Sequence, residues 1–143
     1  MREIKYRAWD NVANEMYYTG EEELIVFIFG SNGIVADEII LDDSEQGYHV
    51  EKLEHLQYMQ YTGLKDTNSK EIYEGDILKT ASGRDKGDII TVVEWTEFSW
   101  KEKLISSPVH QFYEYFDFSD ETGNDCEVIG NIYENPELLE GIA

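Results

Sequence analysis

Short runs of apolar residues, some of them alternating with charged residues, dominate the first third of the chain and predict strands. Residues 3–9 alternate apolar and charged side chains, which predicts a half-buried strand. Residues 16–19 are rich in β-formers and stop at Gly20, so they predict a returning strand. Residues 24–29 form a continuous apolar run, which is typical of a strand covered on both faces.

A hairpin signal follows at Asn32-Gly33, because both residues tolerate positive φ. We therefore expect the apolar residues of segment 34–41 to pair back, before a polar loop. Residues 50–61 fit two patterns, since their apolar side chains show helical spacing first and strand-like alternation later. We favour a short helical turn that leads into a strand at 55–61.

The second half of the chain has the pattern of a small barrel of short strands. A tight glycine-aspartate turn opens a strand, and residues 89–95 are the most β-prone segment of the chain. Residues 111–118 alternate aromatic side chains, and residues 127–133 predict the last strand. Many short strands at close spacing indicate a mostly β protein.

A short helix is predicted at the C-terminal end of the sequence. Asn135 is placed to act as its N-cap, and Pro136 suits the first helical position. Leu138 and Leu139 should then pack inward. The predicted fold class is therefore α+β, mostly β, with a short C-terminal helix.

Charge is the unusual feature of the composition. The 143 residues include 31 Asp and Glu against 11 Lys and Arg, a formal net charge of −20. Such a chain is repelled by phosphate backbones and anionic lipid surfaces, so direct nucleic-acid binding and membrane binding are not expected. The hydrophobic fraction of 41% is nevertheless sufficient for a folded core.

Cysteine usage and apolar run lengths indicate a cytoplasmic protein. Cys126 is the only cysteine, so the chain cannot form an internal disulfide, and a lone thiol fits a reducing compartment. The first residues lack the apolar core of a signal peptide. The longest apolar run, residues 24–29, is far shorter than the roughly 20 residues that cross a bilayer.

Three segments of the sequence resemble the YopX family, small proteins carried by bacteriophages and prophages. The longest is MQYTGLKDTNSKEIYEGDI at residues 59–77, and the others are IKYRAWD at residues 4–10 and VIGNIYENP at residues 128–136. The resemblance implies a β-rich N-terminal lobe at residues 1–64 and an SH3-like barrel with a short terminal helix at residues 65–143, with a single integrated domain as the alternative. It also implies homo-oligomers in the cytosol of a bacterial host.

No activity is established for that family, so the resemblance supplies no catalytic, cofactor-binding or metal-binding residue. The motif residues have ordinary structural interpretations instead. Gly63, Gly75 and Gly130 suit special backbone conformations or close strand approach, and Asp66 and Asn68 suit turn hydrogen bonds. Side chains expected in the core or at a lobe interface are Trp9, Tyr61, Tyr73, Ile77, Ile129 and Tyr133.

The candidate nucleophile and the histidines do not form a recognisable catalytic or zinc-binding pattern. Cys126 lies between Asp125 and Glu127, and neighbouring carboxylates suppress the thiolate, so a strand position is the better interpretation. The histidines are scattered in sequence, at His49, His55 and His110. We therefore expect no catalytic residue, no metal and no cofactor.

Two other patterns could suggest binding chemistry. Residues 117–125 superficially resemble a calcium loop but lack the glycine and glutamate positions of an EF-hand, so a solvated acidic turn is the better interpretation. An aromatic cluster could stack bases, but its neighbours are acidic, so core and interface packing are favoured. Its members are Trp95, Phe98, Trp100, Phe112, Tyr113, Tyr115, Phe116 and Phe118.

The leading functional hypothesis is a non-enzymatic phage accessory protein that self-associates or binds a host or phage protein, with its acidity steering it to a basic partner. One alternative is a DNA mimic, which would need carboxylates in rows at phosphate spacing. Acidic clusters lie at residues 21–23, 42–43 and 120–121. The other alternative is a metal-assisted hydrolase, favoured only if a pocket held Asp66 or Asp76 beside a histidine.

Overall fold

The structure is a computed structural model that describes residues 4–31, 33–81, 87–96, 98–107, 114–119 and 122–140. The described part of the chain contains twelve strands and two 3₁₀ helices, so the mostly β prediction is confirmed. The strands are β1 (Tyr6–Asp10), β2 (Glu15–Tyr18), β3 (Ile25–Gly30), β4 (Gly33–Leu41), β5 (Tyr48–Leu53), β6 (Gln57–Lys65), β7 (Glu71–Tyr73), β8 (Asp76–Ala81), β9 (Asp88–Thr96), β10 (Ser99–Ser106), β11 (Tyr115–Asp117) and β12 (Cys126–Asn131). The 3₁₀ helices are Thr122–Asn124 and Pro136–Leu139.

The chain divides into two compact units. The first unit is Tyr6–Tyr58, and the second unit combines Met1–Lys5 with Met59–Ala143. The sequence places the lobe boundary between residues 64 and 65. The long segment of the second unit begins at Met59, six residues before the predicted start of the second lobe. Strand β6 runs through both positions, and a continuous strand gives no sequence signal for such a boundary.

The first unit contains the β1–β2 hairpin and a three-stranded antiparallel sheet in the order β3-β4-β5. Its core is a small buried cluster with partly buried neighbours. The buried members are Ala8, Tyr17, Ala36 and Leu56, and the neighbours are Ile25, Phe27, Leu53 and Tyr58. Since half of these side chains are only partly buried, the unit has a thin apolar centre.

Three sequence predictions for the first unit are wrong. Strand β1 is buried on both faces, because Arg7 is covered as well as Ala8. Residues 48–53 form strand β5, with no helical turn, because the whole segment pairs with β4. Strand β3 is covered on one face only, and Val26 and Ile28 on its other face are 44% and 47% exposed.

The second unit contains a five-stranded antiparallel sheet in the order β11-β10-β9-β8-β12, together with the β6–β7 pair. Its central cluster is fully or nearly fully buried. The members are Ile72, Leu78, Val93, Trp100, Cys126 and Val128, with Leu64 and Phe118 packed against them. The sheet agrees with the run of strands expected from the sequence, and closure as an SH3-like barrel remains a prediction.

The predicted terminal helix is present as a single 3₁₀ turn, Pro136–Leu139, preceded by Asn135. Asn135 is not its side-chain cap, because its Oδ1 accepts the backbone N–H of Asn131 at 3.2 Å. Leu138 and Leu139 are half-buried and do not join the core. The segment therefore closes a turn after β12 and adds little apolar burial.

Candidate functional site

Asp66, in the longest YopX-like segment, fixes the backbone of the second unit. Its Oδ1 accepts the N–H groups of Asn68 and Lys70, at 2.8 and 2.9 Å, and its Oδ2 accepts that of Val128 at 2.8 Å. Burial alone would raise the pKa of Asp66, but these hydrogen bonds hold it below its usual value. Both carboxylate oxygens are used by the fold, so the structural interpretation of this residue fits the geometry.

Other motif residues hold turns in the same unit. The Oδ2 of Asp76 accepts the N–H of Tyr73 at 2.7 Å across the β7–β8 turn, where Gly75 has a φ of +85°. A Cβ at Gly130 would collide with the side chain of Asn135. The motif therefore encodes a set of turns that only these residue types form without strain.

The histidine–carboxylate pairs of His49 and His55 lie in the first unit. His55 Nε2 lies 2.7 Å from Asp10 Oδ1, and Tyr17 donates to Asp10 Oδ2 at 2.8 Å. Val12 and Ala13 also donate their backbone N–H groups to Asp10. Burial would raise the pKa of Asp10, but the hydrogen bonds lower it to about 2, so this carboxylate stays charged and anchors the β1–β2 turn.

His49 also pairs with carboxylates, and it does so at the surface. Its Nδ1 lies 2.6 Å from Asp42 and its Nε2 lies 3.2 Å from Glu51. These contacts raise the pKa of His49. Both ring nitrogens are engaged, so the residue closes the 42–47 loop and has no ring nitrogen left for a general base. His110 lies outside the described residues.

Glu102 is a carboxyl group with a perturbed pKa that lines a pocket of the second unit. Burial raises its pKa, and Thr91 donates to it at 2.9 Å. The pocket, of about 260 Å³, is also lined by Thr80, Thr122 and Asp125. Perturbed acids in pockets can mark active sites, but structural networks perturb them too.

Cys126 is buried in the core cluster of the second unit. Burial, and then the charges of Glu102, Asp66 and Asp125, raise the pKa of its thiol to about 12. A thiol in that state is protonated at neutral pH and is a poor nucleophile. The sequence interpretation of Cys126 as a strand residue is confirmed by its position at the start of β12.

The described aromatic residues of the predicted cluster divide between core and surface. Trp100 is buried, and its ring packs edge-to-face with that of Trp95 at 5.0 Å between centroids. Trp95 is 50% exposed and Phe98 is 94% exposed. These rings border a hollow of about 270 Å³ with Phe118. Phe112 and Tyr113 lie outside the described residues.

The strongest candidate for an interaction site is the uncovered face of the sheet β3-β4-β5, here called the outer apolar face. Its exposed apolar members are Val26, Ile28, Val35, Leu41, Tyr48 and Val50, each between 41% and 72% exposed. Ile28 pairs with Val35 and Leu41 pairs with Tyr48 across neighbouring strands, so these side chains point the same way. Asp37 and Lys52 lie on the same face, paired with each other in the row that also holds Val26. Groups of exposed apolar side chains of this kind mark interaction surfaces.

Sequence reasoning missed this face because an uninterrupted apolar run fits a doubly covered strand as well as a strand with a protein-binding face. In strand β5, Tyr48 and Val50 alternate with polar residues, and this alternation is the sequence signal that could have revealed the face. In the structure these two residues pair with Leu41 and Ile39 of β4.

Metal-binding clusters and membrane-spanning helices are both absent from the described residues. Within this part of the chain, no group of three or more His, Cys, Asp or Glu side chains is arranged to hold a metal ion. The same residues include no helix with the length and apolar character needed to cross a bilayer.

Comparison with known proteins places the fold among solved structures. Residues 5–140 match the family described as YopX protein. Protein EF1440 from Enterococcus faecalis is similar, with a TM-score of 0.61 and 25% identity, and the alignment covers 98% of this chain and 100% of that chain. Protein yopX from Bacillus subtilis is similar with a TM-score of 0.62 and 22% identity, over 94% of this chain and 96% of that one. No curated protein matches the sequence.

Proposed function

The chain belongs to the YopX family, and on that premise we propose that it is a non-enzymatic protein–protein interaction or self-assembling module of a phage or prophage. The outer apolar face carries this proposal. Its side chains are β-branched or large, and they remain exposed on a sheet whose opposite face packs on the core of the first unit. Covering them in a complex removes apolar surface from water, which favours association.

The use of carboxylates within the fold disfavours both alternatives. Several acidic groups are committed to the protein's own fold: Asp10, Asp42 and Asp66 each accept backbone N–H groups. Carboxylates used in this way are poorly placed to imitate a free phosphate row, so the DNA-mimic alternative is less favoured. The hydrolase alternative is less favoured because the described histidine–carboxylate pairs use their carboxylates in turns and loops.

The experiment is a matched pair of substitutions, Val35→Lys and Val12→Lys. Val35 lies on the outer apolar face and is 56% exposed, whereas Val12 lies in the β1–β2 turn and is 76% exposed. Both changes add the same charge at an exposed valine. Light scattering across a concentration series, with affinity capture from bacterial lysate at low and high salt, measures association.

We expect the wild-type chain to self-associate or to hold a partner, Val35→Lys to weaken that association at least about tenfold, and Val12→Lys to leave it nearly unchanged. A wild-type chain that is monomeric and captures nothing at either salt concentration would contradict the proposal. Equal losses of association in the two variants would also contradict it, because the added charge alone would then explain the loss, whatever the position of the valine.

A further inference from the structure

A groove of the first unit, which meets the outer apolar face at Leu41, combines apolar and acidic residues. The groove has a volume of about 590 Å³ and lies beside β2, β3 and β4. Its apolar lining, here called the floor, consists of Leu24, Ile25, Ile39, Ile40 and Leu41, together with the ring of Tyr17. Its acidic residues come from three different elements, namely Glu15 of β2, Glu22 and Glu23 of the following turn, and Glu38 of β4.

The lining contains four glutamates and no lysine or arginine. The resulting field reaches the floor of the groove. The pKa of Tyr17 is raised by burial first, then by its bond to Asp10, and further by the charges of Glu15 and Glu38. An apolar floor beside four glutamates, of which Glu22 also accepts the backbone N–H of Tyr18, suits a ligand that presents apolar side chains together with positive charge.

We propose that this acid-rimmed groove binds a segment of another protein that carries apolar anchors between lysine or arginine residues. The inference rests on the proposed function and identifies the chemistry of one partner. A second copy of this chain is a poor occupant, because it has 31 acidic residues against 11 basic ones. Nucleic acid is excluded by the same sign of charge.

Each part of the groove has a separate physical role in this proposal. The floor removes apolar side chains from water and supplies affinity. The carboxylates attract lysine or arginine over about a Debye length, so they increase the association rate at low salt and reject acidic segments. Binding should therefore need both the apolar and the basic side chains of the segment.

The test uses a display library of random ten-residue peptides selected against the wild-type chain at low salt. The most enriched sequences are then synthesised, and their affinities are measured for two doubly substituted chains. Glu23→Gln with Glu38→Gln removes two charges from the groove. Asp43→Asn with Glu45→Gln removes two charges from the exposed 42–47 loop and is the matched control.

We expect selected peptides to be rich in lysine or arginine next to leucine, isoleucine or phenylalanine. Their affinity should fall at least about tenfold in the groove variant and less than about twofold in the loop variant. It should also fall steeply with salt. Thermal melts of both variants confirm that they are folded.

Three outcomes would overturn the proposal: no enrichment above the unselected library, enrichment of neutral or acidic peptides, or equal losses in the two variants. Failure of the groove is separable from failure of the interaction function. Val35→Lys should weaken association through the outer apolar face at least about tenfold while leaving peptide affinity unchanged, because Val35 does not line the groove. If peptides bind the groove of a chain that never associates through that face, only the outer-face proposal is lost.

Discussion

The two units of this chain make opposite use of their apolar residues. In the second unit, Ile72, Leu78 and Val93 are completely buried, and polar groups such as Asp66 are satisfied inside the fold. In the first unit, the buried cluster includes two alanines, while Val35, Leu41 and Val50 face solvent. The second unit buries its central apolar side chains, although Trp95 and Phe98 are exposed, and the first unit leaves a whole face of one sheet available for binding.

This contrast also explains the position of the longest YopX-like segment. The whole segment lies in the second unit, where a wrong residue at Asp66 or Asp76 would leave a buried backbone N–H unpaired. The first unit carries the outer apolar face on exposed residues, and the groove has exposed residues such as Glu23 at its rim, where substitution costs little folding energy. The proposed binding surfaces therefore lie where the sequence can change without unfolding the protein.

The largest effect is expected from the same substitution made in each unit. Leu78 is fully buried, so Leu78→Ala should lower the free energy of unfolding by about 3–4 kcal/mol. Leu41 is 72% exposed, and Leu41→Ala should change the free energy of unfolding by less than about 0.5 kcal/mol. Urea unfolding followed by tryptophan fluorescence measures both. Similar losses would mean that Leu41 is covered, for instance in an oligomer, and would break the contrast.

The next effect concerns the turn that Asp66 organises. Asp66→Asn replaces one acceptor oxygen with an amide that donates, so a buried backbone N–H would lose its partner. We expect a loss of about 2–3 kcal/mol in unfolding free energy. Asp43→Asn, in an exposed loop, is the control and should be nearly neutral. A neutral Asp66→Asn would show that the three hydrogen bonds of Asp66 contribute little.

Asp10 gives the first unit a pH-dependent contribution to stability. Its folded pKa of about 2 lies below the ordinary 3.8, so the folded chain holds this proton less tightly than the unfolded chain does. The stabilisation, about 2 kcal/mol, is therefore present above about pH 4 and is lost as the pH falls towards 2. Asp10→Asn should remove it. Chemical unfolding between pH 2 and pH 6 tests whether the variant shows a flatter pH dependence.

The smallest effect is expected from a thiol reagent added to the folded protein, which should label Cys126 very slowly. Cys126 is buried with a thiol pKa raised to about 12, so a disulfide reagent at pH 8 should react with it only after the second unit opens. The labelling rate should rise as urea is added below the unfolding midpoint. Rapid labelling without urea would show that this core is open and that its tight packing is overstated.

The sequence predicted the strands well where the signal was local. The β3–β4 hairpin and the strands after residue 72 follow from β-branched runs, turn residues and alternation, all readable over a few positions. The prediction failed at residues 50–53, where the spacing of Val50 and Leu53 suited a helix. Pairing with β4 decided that segment, and a partner strand is invisible to local spacing.

The sites divide in the same way. The sequence alone indicated the turn role of Asp66, the inert position of Cys126 and the acidity that disfavours nucleic acid, because these follow from residue type and near neighbours. Tertiary structure decided which face of β3 stays exposed and which glutamates meet around one groove. Those outcomes depend on how distant strands pair and pack. Hydrophobic patterning indicates that an apolar residue favours burial, but it does not specify which part of the molecule, or which partner, buries it.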